Sequence, residues 1–68
     1  MDVESPTFGT LALKHVEDGT IVTEDEPIGE VEAMKVFFRI TAPCDGVVTW
    51  MAELGDVVGQ GDVLAEIV

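Results

Sequence analysis

Gly19-Thr20-Ile21-Val22 and Gly55-Asp56-Val57-Val58 stand 36 positions apart and follow one pattern, a glycine and then a valine three residues later. The agreement continues outward from these turns. At the same spacing Ile28 matches Leu64, Glu30 matches Glu66 and Val31 matches Ile67. Upstream, Pro6-Thr7-Phe8-Gly9 matches Pro43-Cys44-Asp45-Gly46 at a spacing of 37, one residue more, which a loop absorbs. Turn glycines and apolar positions agree in order through most of each half, so the chain is a tandem duplication of one short unit.

Each unit reads as short strands joined by turns. In the first, extended runs are expected around Leu11–Leu13 and Ile28–Ala33, with a turn at Glu17-Asp18-Gly19; in the second, at Gly46–Met51 and Val63–Ile67, with a turn at Leu54-Gly55-Asp56. Val, Ile, Thr and Phe dominate these runs, and Gly or Pro interrupts them every few residues, a pattern that favours strand over helix. Only Met51–Leu54 could hold a helical turn. Many short strands with Gly-rich turns define an all-β sandwich or small barrel. Neither unit can bury its apolar face alone, because two or three strands are marginal in water. The two must pack together as one domain over residues 1–68, related by a pseudo-two-fold.

Composition narrows the function. At 68 residues the chain has room for one thin core and no deep catalytic cleft, which argues against stand-alone catalysis. With 47% hydrophobic residues it folds in spite of 14 acidic and 3 basic residues, a formal net charge of −11. Lys14, Lys35 and Arg39 are too few to neutralise a nucleic acid backbone or an anionic lipid surface, so neither nucleic acid nor membrane is an expected partner. Cys44 has no second cysteine to pair with, and the expected setting is reducing and cytoplasmic.

Between the two units lies Glu32–Arg39. Val31–Ala33 and Val36–Ile40 are two β-prone runs separated by little more than Met34 and Lys35, the spacing of a tight hairpin. Lys35 is then placed at a tip, its backbone held by the flanking ladder and its side chain in solvent. Another protein could grip and modify a lysine presented in that way.

Glu32-Ala33-Met34-Lys35, followed by Pro43 and Gly46-Val47-Val48, resembles the attachment sequence of biotin carboxyl carrier domains in the biotinyl/lipoyl family. The likeness runs from about Ser5 to Val68 and includes both Gly-x-x-Val turns. It implies a flattened barrel of two four-stranded antiparallel sheets, with both termini at one end and the lysine hairpin at the other. It further implies that Lys35 carries biotin in amide linkage, installed by an ATP-dependent biotin protein ligase that recognises Glu32, Ala33, Met34 and Val36. The resemblance makes the chain a non-catalytic, swinging-arm carrier between biotin carboxylase and carboxyltransferase sites, as in acetyl-CoA carboxylase and fatty acid biosynthesis. Tethering of this kind replaces a dilute encounter by an intramolecular one.

Val36 departs from the biotinyl pattern, which has methionine on both sides of the lysine, and leans toward lipoyl domains. The thumb insertion of some acetyl-CoA carboxylase carriers has no room in the first unit. A lipoyl carrier of an oxidative acyl-transfer complex is therefore a rival, and an unmodified β interaction module is a third reading. Other polar residues have plainer readings. Glu24-Asp25-Glu26 lacks calcium-loop spacing and reads as a solvated turn, His15 as a surface residue and Cys44 as a small turn residue, with no metal or nucleophile pairing between them. Phe8, Phe37, Phe38 and Trp50 carry most of the bulky apolar area, and Phe37 and Phe38, adjacent in a strand, are expected to face opposite sides.

Overall fold

The computed structural model describes residues 1–68 and contains eight strands: β1 (Asp2–Glu4), β2 (Gly9–Lys14), β3 (Ile21–Val22), β4 (Pro27–Ala33), β5 (Val36–Thr41), β6 (Gly46–Trp50), β7 (Val57–Val58) and β8 (Val63–Ile67). They form two four-stranded antiparallel sheets in the orders β1-β8-β6-β3 and β5-β4-β2-β7. Shifting β1 to β5, β2 to β6, β3 to β7 and β4 to β8 converts one order into the other. The duplication in the sequence is thus a two-fold in the structure. It is an interlocked one, since β3 of the first unit completes the sheet built on β6 and β8, and β7 of the second completes the sheet built on β2 and β4.

The turns repeat down to single hydrogen bonds. Gly19 donates its amide to the Val48 carbonyl at 2.8 Å, and its counterpart Gly55 donates to Leu11, the counterpart of Val48, at 2.9 Å. Both glycines have left-handed φ values, 87° and 90°, which a side chain would strain. Thr23 and Gly59 likewise donate their amides to Glu26 and Asp62, closing matched turns at 3.0 and 2.8 Å.

The core is built from matched pairs: Val3 with Ile40, Leu11 with Val48, Val22 with Val58, Ile28 with Leu64 and Val31 with Ile67, all buried. It is aliphatic: Val, Ile, Leu and Ala side chains fill the space between the two sheets. The sequence expectation that the aromatics supply the bulk is corrected here. Trp50 rests against the core from one side. Phe8 is 69% exposed, Phe37 51% and Phe38 38%. Phe37 lies opposite Glu32 and Phe38 opposite Val31, so the two do alternate faces, but β5 is an edge strand and leaves both accessible. The helical turn expected at Met51–Leu54 does not form. The amides of Met51 and Ala52 both donate to the Leu64 carbonyl instead, and the chain bends at Ala52 and turns at Leu54-Gly55.

Strand β5 sets the two ends of the molecule apart. From Val36 it runs toward Ala42, whose amide donates to Glu26; the Glu24 amide donates to the Asp45 carboxylate, and Val47 exchanges hydrogen bonds with Val68. Met1 in turn pairs with Ile67. The β4–β5 turn and the chain termini therefore occupy opposite ends of a body 31 Å long and 18 by 17 Å across.

Candidate functional site

The β4–β5 hairpin closes on Ala33 opposite Val36, leaving Met34 and Lys35 as a two-residue loop. Met34 has φ 50° and Lys35 φ 66°. Positive φ at both central residues is the signature of a type I′ turn, whose twist matches the strands it joins and whose usual occupants are Asn-Gly. A side chain in this region costs about 1 kcal/mol or more per residue. The pairing of β5 along the length of β4 holds the turn in that state. Gly9 tightens the base of the hairpin: a Cβ there would collide with the Glu32 carbonyl oxygen, so only glycine lets β2 start so close to β4.

The loop carries its side chains outward. Met34 is 96% exposed, and Lys35 is exposed with neither a hydrogen bond nor an ion pair to the rest of the chain. Lys14, the other lysine, is engaged: its Nζ sits 5.0 Å from the centre of the Trp50 ring. Ala33 and Glu32 are half-buried at the foot of the loop, and exposed Val36 opens β5. All five sequence-selected residues, Glu32, Ala33, Met34, Lys35 and Val36, are thus brought together at one apex. Chemically the apex offers an unencumbered primary amine on a rigid mount, with one thioether side chain beside it.

The sequence reading missed β1, whose three residues carry no strong strand signal and which forms by pairing with β8, and it named no strand at β3 or β7, two-residue pieces that form by pairing with β6 and β2. It also missed the link between His15 and Glu30, whose Nε2 and Oε2 atoms lie 2.8 Å apart. Cys44 is a free thiol packed against the core.

A duplicated body of two four-stranded β sheets, with one free lysine on a strained hairpin, is the architecture expected of a biotinyl/lipoyl-type domain. Comparison with known proteins gives the family. Residues 1–67 match the biotin/lipoyl family described as "Biotin-requiring enzyme", and the chain belongs to it. It is 39% identical over 66 residues to the biotin-dependent acyl-coenzyme A carboxylase alpha3 subunit of Mycobacterium leprae, covering 96% of this chain and 11% of that protein. It is 36% identical over 66 residues to the mitochondrial propionyl-CoA carboxylase alpha chain of Homo sapiens, of which it covers 9%. The chain therefore spans about a tenth of the length of these relatives. Among solved structures, the urea carboxylase of Kluyveromyces lactis contains a region that superposes with a TM-score of 0.91 at 28% identity, covering all of this chain and 6% of that one. The lipoyl domain of the 2-oxoglutarate dehydrogenase complex from Azotobacter vinelandii superposes at 0.82 with 33% identity, covering all of this chain and 95% of that one.

Proposed function

We propose that Lys35 is the point of covalent biotin attachment and that this chain is the carrier domain of a biotin-dependent carboxylase. One observation carries the reading: the sole unengaged lysine stands at the centre of a type I′ turn, directly after Glu32-Ala33-Met34. The residues fit the group, since the exposed Nζ can form an amide with the biotin carboxyl and nothing in the chain competes for it. Biotin, once attached, supplies a ureido nitrogen that carries a carboxyl group between distant sites. The chain's own part is positional. The β4–β5 ladder fixes the Lys35 backbone, Met34 and Val36 flank it as contacts for a biotin protein ligase, and Glu32 with Ala33 forms the foot that the ligase reads. In this reading the domain is non-catalytic and serves a biotin carboxylase and a carboxyltransferase by swinging its arm between them. The free thiol of Cys44 supports a reducing, cytoplasmic setting.

A lipoyl carrier is the second reading, supported by Val36 and by the superposition on a lipoyl domain. Incubation with biotin, ATP and a biotin ligase, in parallel with lipoate and a lipoyl ligase, separates the two by intact mass. The biotin reading expects one biotin adduct, mapped to Lys35 and absent in Lys35→Arg. An adduct only with lipoate, or one placed on Lys14, overturns it.

A further inference from the structure

A depression of about 250 Å³ in the surface is lined by Asp2, Val3, Glu4 and Pro6 on one side and by Arg39, Ile40, Thr41 and Pro43 on the other. These are four matched pairs of the duplication, Asp2 with Arg39, Val3 with Ile40, Glu4 with Thr41 and Pro6 with Pro43. The groove thus lies on the pseudo-two-fold, between the free edges of the two sheets, since β1 pairs only with β8 and β5 only with β4.

Both edges have open backbone groups there. Antiparallel ladders alternate residues that bond inward with residues whose N–H and C=O point away. On β1, Met1 exchanges hydrogen bonds with Ile67 and Ser5 donates to Asp62, which leaves Asp2 and Glu4 directed outward. On β5, the hairpin closes on Val36 and Ala42 donates to Glu26, which leaves Arg39 and Thr41 directed outward. The outward residues of both edges line the groove. The side-chain charges differ: β1 presents two carboxylates and β5 the only arginine of the chain. None of the three makes an ion pair within the molecule.

We infer that this groove is a strand-addition site for an extended segment of a separate partner protein. The segment adds to the outer edge of β5, with lysine or arginine side chains opposite Asp2 and Glu4 and a carboxylate opposite Arg39. Main-chain hydrogen bonds to Arg39 and Thr41 give affinity, and alternate side chains give selectivity. Charge decides against a second copy of this chain as the occupant, because two bodies of −11 repel, whereas a basic segment is drawn in.

The test uses the whole chain, isotope-labelled for NMR, and a synthetic peptide of about nine residues, alternating valine with lysine and bearing one glutamate. Titration is expected to shift the amides of Arg39 and Thr41 and slow their exchange, with an affinity that falls as salt rises. A charge-reversed peptide is expected to bind about fivefold more weakly or less, as is Arg39→Glu toward the original peptide. Thr41→Pro removes an outward N–H, which an edge strand tolerates, and is expected to weaken binding with all charges kept. Absence of shifts at millimolar peptide, shifts confined to β3 or β7, or indifference to charge reversal overturns the inference. Concentration-dependent shifts of the same amides without peptide overturn it in favour of self-pairing.

Discussion

Leu11 and Val48 occupy the same place in the two halves of this chain, each fully buried and each accepting a hydrogen bond from the turn glycine of the opposite unit, Gly55 at 2.9 Å and Gly19 at 2.8 Å. Each half therefore finishes the other, and neither sheet contains strands of one unit alone.

This interlock predicts a single cooperative transition. Fragments 1–35 and 36–68, prepared separately, are expected to lack the dispersed NMR spectrum of the whole chain and to regain part of it on mixing. Leu11→Ala, which empties a fully buried site, is expected to lower stability by about 2–5 kcal/mol in chemical denaturation. A fragment that folds by itself would show that the halves are independent.

Strain at the hairpin predicts an opposition between stability and modification. Met34→Gly relaxes the φ 50° position and is expected to raise stability by about 1 kcal/mol, while slowing biotin transfer because the ligase loses a wholly exposed side chain. Thermal melting and the rate of adduct formation, measured on the same preparation, check both halves of the statement.

Trp50 predicts a different kind of loss. Its indole Nε1 donates to the Val16 carbonyl at 3.0 Å and its ring lies beneath Lys14. Trp50→Phe keeps most of the apolar contact but leaves that carbonyl without its donor, at an expected cost of about 1–3 kcal/mol. Adduct formation at Lys35 is expected to be unchanged in the folded variant, since the hairpin is built by β4 and β5.

The acidic surface predicts a salt response. With a formal charge of −11 and only the His15–Glu30 contact within ion-pair range, self-repulsion goes uncompensated and screening relieves it. Tm is expected to be higher at about 150 mM than at about 10 mM sodium chloride, where the screening length is roughly four times greater. A flat or inverted dependence would count against this account.

Much of the fold was legible because the duplication repeats its own punctuation. Gly19 and Gly55 mark equivalent turns, the apolar matches from Ile28 to Ile67 mark core positions, and the β-prone runs flanking Met34 and Lys35 announce a hairpin. The two-residue loop and its exposed lysine were legible for the same reason: turn length and strand pattern are local. The sign of φ at Met34 and Lys35 was not, since neither residue type asks for a left-handed backbone, and only the pairing of Val36 with Ala33 imposes it. The place of the aromatics was also hidden, because hydrophobicity says that a ring prefers burial but not that Phe37 and Phe38 fall on a strand the topology leaves at a sheet edge.

Local chemistry, written twice along 68 residues, was enough to establish an all-β duplicated body and to single out Lys35 at the joint. Tertiary structure alone decided that the units interlock, that Lys14 is occupied by Trp50 while Lys35 stands free, and that Asp2 and Arg39 face a common groove. These follow from contacts between residues far apart in the chain, more than twenty positions at every strand pair that interlocks the units through β3 and β7, and such contacts depend on how two sheets settle against one core rather than on any stretch of sequence read by itself.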